Sequence, residues 1–444
     1  MRDVLEADLR SVRLPEGAFS AKIVNSAKKL HLTPSRLQKR HDFIETLATL
    51  QISIHDDVCL SPTLLLLSSI SKDFFDILLQ MHSSIFSLIY CSLYSHKVES
   101  FWSQTLIERC TKMAVSFEGK TALVANIDHG DGTGVIDEEA EFDSPETVEA
   151  IAASLRKSGL DVTVIEAGRD LPEKLKAEDI RFVFNIAEGR GGRDREAQVP
   201  ALLSLLDIPY SGSDALVMSL TLDKAMCKRF AMSFGVRTSP FCLVSPGHEN
   251  DIPEMDYPVI VKPNAEGSGK GISEDCIAQD RDELTAMLKR LFADYKQDML
   301  VETFLSGREF TVGLLGTGDD VQVFPPMEIV YEHPTQGDYC VYSYKIKKEF
   351  RKHVHYECPS DISEALTEMT EAARTIFNAL GCRDLARVDF RMDKDGCPCF
   401  LEINPLPGLA PNYSDFPMAA EAVGLSYDDL IAAVAESALS RIEK

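Results

Sequence analysis

From Lys120 onward the apolar positions change period several times. TALVANI (121–127) is a short unbroken apolar run, the pattern of a strand covered on both faces. SPETVEAIAASLRKSGLDV then switches to spacings of three and four. Val148, Ile151, Ala152 and Leu155 share one face, Ser144 stands at the N-cap, Pro145 in the first turn and Gly159 past the last. DVTVIEA and RFVFNIA predict two further strands, and REAQVPALLSLL a helix. Strands alternating with helices predict a parallel α/β domain to about Thr221. The helix DKAMCKRFAMSFG opens a second unit with strands FCLV, YPVIVKP and MLVETFL. After Gly307 a third begins with REFTVGLLG and holds the long helix ISEALTEMTEAARTIFNALG. No internal repeat is visible.

The segment LARVDFRMDKDGCPCFLEINP (385–405) alternates with a period of two in both halves. Val388 and Phe390 oppose Arg387, Asp389 and Arg391; Phe400, Glu402 and Asn404 oppose Leu401 and Ile403. A four-residue loop, Lys394 to Cys397, makes this a hairpin. It sets Asp393 opposite Pro398, Asp389 opposite Glu402, and Arg387 opposite Asn404, all on one face. Like charges directly opposite one another destabilise a sheet, so the Asp–Glu pair asks for a cation between them. Two carboxylates and an amide oxygen suit Mg²⁺, which binds through few protein ligands and substrate phosphates. The alternative is a solvated face on which Arg387 neutralises the acids; the gathering of every ligand type at one place favours the metal.

VIVKPNAEGSGKGI (259–272) runs a strand into a lysine and a glycine-rich loop. It is not a Walker A loop, since Asn264 stands where that loop has glycine and Lys270 is followed by Gly271. Nor is it a dinucleotide fingerprint, because Gly267, Gly269 and Gly271 alternate and lead into ISED rather than a helix. Alternating glycines fit an extended hairpin tip whose bare N–H groups approach an anion. A plain flexible hairpin with a solvated lysine is the competing reading.

Composition narrows the partners. The 444 residues leave room for two or three domains, and the net charge of −24 argues against nucleic acid or an anionic membrane surface. Residues 1–112 hold 13 basic and 12 acidic side chains, so the negative charge sits beyond them. The 11 cysteines have no framework spacing, which predicts reduced thiols and a cytoplasmic protein. The first thirty residues lack the apolar core of a signal peptide. Residues 1–112 differ from the rest, with one glycine and the only tryptophan, Trp102; they predict an atypical extension, largely helical or disordered, of no assigned role. Their apolar run 77–94 is broken by Gln80, His82 and four serines, against a membrane span.

GRGGRD, YSGSDALVMSLTLDKAMCKRF, VKPNAEGSGKGI, VETFLSGREFTV, YSYKIK, YECP, ARVDF and LEINPLPG follow one another in this chain. In that order they resemble the ATP-grasp enzymes, and the D-alanine–D-alanine ligase branch in particular, over roughly residues 120–444. The resemblance implies an α/β architecture: an N-terminal parallel domain (113–221) and two ATP-grasp subdomains (222–307 and 308–444) with nucleotide between them. It implies ATP with Mg²⁺ or Mn²⁺, small amino-acid substrates, and a homodimer. Lys224 and Lys262 take the nucleotide lysine positions, and Glu266, Gly267, Ser268, Gly269 and Gly271 the lid over the phosphates. Glu302, Thr303, Phe304 and Leu305 take the adenine segment, Glu309 the ribose acid and Lys347 the γ-phosphate lysine. Asp389, Glu402 and Asn404 match the metal ligands. Arg387 and the Gly408 N–H match the groups that stabilise the tetrahedral intermediate, with Ser268 beside them in the lid. The plainer alternative for each lysine or acid is an ordinary surface charge.

The substrate end departs from that pattern. The GG-x-S-x-ER-x-VS signature is replaced by NIDHGDGTGVIDEEAEFDSPETVEAI, leaving Glu139, Glu141 or Asp143 as the carboxylate for the first substrate's amine. LHG-x-x-GEDG becomes AEGRGGRDREAQ, with Glu188 where histidine is common and Arg193 where an acid is common, and Lys348 stands where tyrosine usually follows the γ-phosphate lysine. Three functions stay open: D-alanine–D-alanine ligation, a related ligase joining other amino acids, and an inactive nucleotide-binding interaction protein.

Overall fold

The computed structural model describes residues 115, 117–130, 141–267, 269–270, 276–332, 350–359 and 363–442, all within the unit His96–Lys444. Ser268, Gly271, Lys347, Lys348, Glu139 and the extension 1–112 lie outside the described residues.

The first layer is a parallel sheet in the order β2-β1-β3, formed by β1 (Lys120–Ala125), β2 (Asp161–Glu166) and β3 (Ile180–Ile186). Between β1 and β2 lies α1 (Pro145–Lys157), where Ser144 Oγ accepts the Thr147 N–H at 3.2 Å and caps the first turn. Between β2 and β3 lies α2 (Leu171–Ala177). The helix expected after β3 is split, with one 3₁₀ turn at Arg195–Ala197 followed by α3 (Gln198–Leu205). Then come α4 (Ala215–Leu222) and α5 (Lys224–Ser233).

The second sheet is antiparallel in the order β4-β7-β5-β6: β4 (Phe241–Val244), β5 (Val259–Pro263), β6 (Ile277–Ala278) and β7 (Met299–Thr303). The glycine-rich loop joins β5 to its antiparallel partner β6, as expected of a hairpin tip. Leu284, Leu288 and Leu291 of α6 (Arg281–Tyr295) close one face of this sheet. The preceding helix α5 does not join that core: Cys227 and Ala231 pack with Phe390, Phe400 and Ile403 of the third sheet.

The third sheet runs β11-β10-β8-β12-β13, with β9 on the side of β8. Its strands are β8 (Glu309–Thr317), β9 (Gln322–Val323), β10 (Met327–Tyr331), β11 (Val354–Glu357), β12 (Arg383–Met392) and β13 (Pro398–Asn404). The short α7 (Phe350–His353) precedes β11, and α8 (Glu364–Leu380) covers one face of the sheet with Met369, Ile376 and Phe377. The last helices, α9 (Asp415–Ala422) and α10 (Tyr427–Leu439), return to the first layer. Phe416, Leu430, Ile431 and Val434 share one core with Leu123, Ile151, Leu155 and Phe182. That shared core ties the first and third layers together, and the cavity opens beside it.

One part of the expected hairpin register changes. Arg387 faces Asn404 and Asp389 faces Glu402, as the alternation predicts, but Phe390 faces Phe400 and Met392, not Asp393, faces Pro398. Leu401 is an extra residue on β13, a bulge beside the Asp389–Glu402 pair. Simple alternation put Phe400 on the face of Glu402. The bulge instead sends Phe400 into the core with Phe390, while Leu401 joins Glu402 and Asn404 along the cavity.

Candidate active site

A cavity of about 760 Å³ lies where the three sheets meet. Every site residue expected from the sequence that falls among the described residues lines it: Lys224, Lys262, Glu266, Gly267, Gly269, Glu302 to Leu305, Glu309, Arg387, Asp389, Glu402, Asn404 and Gly408.

The β12–β13 hairpin supplies the acids. Arg387 Nε and Nη2 each donate to Asp389 at 2.9 Å, the Thr311 hydroxyl donates at 2.8 Å, and Asn404 Nδ2 at 3.1 Å. Arg387 also reaches Asp415, at 3.6 Å. Across the strand, Glu402 pairs with Lys224 at 2.8 Å. Burial opposes ionisation of Glu402, but Lys224, Lys262 and Arg387 outweigh it and hold its carboxyl down at about 2. The face therefore carries two acids already met by protein cations, so both the metal reading and the neutralising-arginine reading find their partners here. The donor set itself, two carboxylates and a carboxamide on one strand face, fits a hard divalent cation.

The lysines are placed by backbone contacts. Asp223 caps α5 by accepting the Met226 N–H at 3.0 Å. Asn264, just past β5, takes the Lys224 N–H on its carbonyl at 3.0 Å and the Ala225 N–H on its side chain at 2.9 Å. The asparagine that breaks the Walker pattern thus fastens the loop stem to the helix that presents Lys224. Lys224 Nζ then donates to the Glu266 carbonyl at 2.7 Å, so one ammonium touches both the loop and Glu402.

Behind Lys262 is a buried charge cluster. Lys262 and Lys228 both pair with Glu302, Lys228 at 2.9 Å, and Ser239 donates to it at 3.0 Å. Burial would raise the Glu302 carboxyl, yet the two lysines drive it well below its usual range. Glu302 thus holds the Lys262 and Lys228 ammonium groups together at the cavity wall. The neighbouring Thr303 and Phe304 N–H groups are bonded to the Pro240 and Pro258 carbonyls. Glu309 accepts from Tyr331 at 2.8 Å and pairs with Arg391 at 3.2 Å; burial nevertheless lifts its carboxyl above normal. Gly408 is tightly enclosed, since a Cβ there would meet Ser414 Oγ at 2.8 Å.

The sequence did not single out the contact that closes the loop. The Glu141 side chain, 5% exposed, pairs with Arg195 at 2.7 Å and Lys270 at 3.1 Å, and accepts the Gly267 N–H at 2.8 Å. Arg195 also donates to the Ala265 carbonyl at 2.8 Å. A Cβ on Gly267 would come within 2.6 Å of Glu141 Oε1, so the glycine is what lets the carboxylate reach the backbone. Glu141, weighed as an amine-binding acid, is engaged in this latch. Arg193 points elsewhere, to Asp223 at 2.9 Å. The only available signal was that Arg195 and Glu141 both fall in segments that depart from the ligase pattern.

Asp143, Glu188 and Glu196 also line the cavity. Burial alone raises the Asp143 carboxyl to about 7. Burial, with Glu141 adding to it against the pull of Arg195, raises Glu196 to about 7. Burial and the neighbouring acids push Glu188 well above its normal value.

Two antiparallel sheets lining one cavity, with lysines and acids between them beside a glycine loop, are the arrangement of the ATP-grasp class. The fold is shared with D-alanine–D-alanine ligase from Bacillus anthracis in complex with ATP (TM-score 0.55, 23% identity, 73% of this chain and 99% of that one). It is shared too with the VanG D-Ala:D-Ser ligase of Enterococcus faecalis (TM-score 0.55, 21% identity, 72% and 100%). The family model described as D-ala D-ala ligase C-terminus matches residues 233–436. A D-alanine–D-alanine ligase from Syntrophotalea carbinolica is 38% identical over 286 residues, 64% of this chain and 88% of that protein. This chain belongs to the D-alanine–D-alanine ligase family.

Proposed function

We propose that the protein is an ATP- and Mg²⁺-dependent carboxylate–amine ligase that works through an acyl phosphate, in the manner of D-alanine–D-alanine ligases. The observation that carries this reading is the Asp389–Glu402 pair, set across one strand pair with Arg387 and Asn404 and facing Lys224, Lys262 and the glycine loop. A carboxylate becomes an acyl donor once the γ-phosphoryl group of ATP is transferred to its oxygen; an amine then attacks the carbonyl carbon, phosphate leaves, and the amine loses a proton. Such transfer needs positioning and charge neutralisation rather than a protein nucleophile.

In this reading Asp389, Glu402 and Asn404 hold the metal, which when bound neutralises charge on the phosphate oxygens. Lys224 and Lys262 stand ready for the remaining phosphate charge. Arg387 and the Gly408 N–H, both on the cavity wall, stabilise the tetrahedral oxyanion in this reading, and the loop from Glu266 to Gly271, with Ser268, keeps water away. Thr303, Phe304 and Leu305 line the adenine end, Glu309 the ribose, and Lys347 adds a γ-phosphate cation. The division at 112, 221 and 307, a homodimer and a cytoplasmic location belong to the same proposal. No helix among the described residues is long and apolar enough to cross a membrane. The test is ADP release by the full chain with ATP, Mg²⁺ and D-alanine: metal-dependent release with dipeptide formation is expected, and its absence with every amino acid tried would refute the ligase reading.

A further inference from the structure

Helix α5 carries two lysines one turn apart, and only the first, Lys224, lines the cavity. The second, Lys228, is 1% exposed, and its ammonium has three partners. These are Glu302 Oε2 at 2.9 Å, the Thr238 hydroxyl at 2.8 Å and the Phe400 carbonyl at 3.2 Å. Ser239 donates to the same Oε2 at 3.0 Å, and Lys262 pairs with Oε1. One carboxylate thus has a lysine on each oxygen. A single ammonium would neutralise Glu302, and a second one is costly to take out of water. Burial draws the Lys228 ammonium below its usual pKa, and Glu302 is the strongest influence opposing this. Nor is Lys228 needed to join the segments around it. The Thr238 hydroxyl donates to the Phe400 carbonyl at 2.8 Å by itself, and the Phe400 N–H donates to the Arg237 carbonyl at 2.8 Å.

We propose that Lys228 is a positioning residue for nucleotide binding: it takes up the charge of Glu302, so that the Lys262 ammonium keeps its own for the phosphates of ATP. The proposal rests on the ligase reading and adds to it a residue that touches no ligand. Glu302 and Lys228 sum to zero, so the three groups carry one net positive charge. Lys262 is the one of the two lysines that lines the cavity, and the charge is presented there. With Lys262 as the only partner of Glu302, an entering phosphate would meet a neutral ion pair and would compete with the carboxylate for one ammonium. Such competition is stronger in a partly buried wall than in water, because the surroundings screen charge less.

Calorimetry on the full chain, with no amino acid added, tests this through the Kd of ATP with Mg²⁺ and, by displacement, that of adenosine. Lys228→Met removes the ammonium, and Lys228→Gln removes its charge but keeps a hydrogen-bond donor. Each should weaken ATP about tenfold or more, the scale of one charged hydrogen bond, and adenosine by less than about twofold. Adding Glu302→Gln to either variant should bring ATP affinity back toward that of the unaltered protein, since Lys262 then has no anion to neutralise. Unchanged ATP affinity in the single variants, an equal loss for ATP and adenosine, normal binding by Lys228→Gln, or no recovery in the double variant overturns the proposal and leaves the ligase reading standing. An unaltered protein that binds no ATP overturns both. Circular dichroism accompanies each variant, and Lys228→Gln carries the comparison if Lys228→Met does not fold.

Discussion

Glu402 is the residue on which most of the site converges: it faces Asp389, pairs with Lys224 and is kept ionised despite burial. Glu402→Gln keeps the shape and removes the charge. Turnover should fall at least about a hundredfold, since a metal's contribution to charge stabilisation is several kcal/mol, while the circular dichroism spectrum stays unchanged. Normal phosphate release by that variant would remove Glu402 from the metal site. Asp143 and Glu196 make a second prediction at this scale. Their carboxyls titrate near 7 when folded, against 3.8 and 4.5 for the unperturbed groups. Between roughly pH 4 and pH 7 the folded chain holds protons that the unfolded chain has released, so stability falls as pH rises through that window and levels off above it. Without ligand, the thermal midpoint at pH 5.5 should exceed that at pH 8, and Asp143→Asn should shrink the gap. A midpoint that rises with pH would contradict the burial of these acids.

Among the elements, the glycine loop and the first layer are joined by one buried ion cluster. Glu141, Arg195 and Lys270 are 5%, 7% and 9% exposed in their side chains. Glu141→Gln leaves Arg195 buried without its partner and should cost about 3 kcal/mol in urea denaturation. Replacing all three by apolar residues, Glu141→Leu with Arg195→Met and Lys270→Met, should recover much of that stability yet raise the KM for ATP severalfold, because the loop loses its outer tether. Equal KM in the triple variant would separate the latch from nucleotide binding. This element also shows where reading the sequence stops. Strands, helices and the Asp389–Glu402 register follow from local periodicity and were legible. The latch joins residues 54 and 129 positions apart, and no period relates them. The Leu401 bulge was missed for a related reason: an alternating pattern has no mark for an inserted residue, and Phe400 beside Leu401 was the sole hint. The lysines and acids of the cleft were legible through motif order, whereas the structural partners Lys228 and Asn264 were hidden among ordinary helix and loop positions.

For the whole molecule, the folded relatives are covered almost completely by about three quarters of this chain. A version starting at Met113 should keep ADP-forming activity within about twofold of the full chain, under about 0.5 kcal/mol in the barrier; a larger fall in rate with the fold intact would give the extension a part in catalysis. The shared core of Leu123, Ile151 and Phe182 with Phe416, Leu430 and Val434 joins the first and third layers, whereas the second sheet has its own core around α6 and is held to them by polar contacts such as Lys228–Glu302 and Glu141–Gly267.

Lys224 bridges the second and third sheets. Its single ammonium spans the Glu266 carbonyl on one side and Glu402 on the other. A polyanion that takes either of these two bonds takes it from the loop or from the acid. Where that bond is the one to Glu266, holding the anion and releasing the inner edge of the loop are a single exchange of hydrogen bonds.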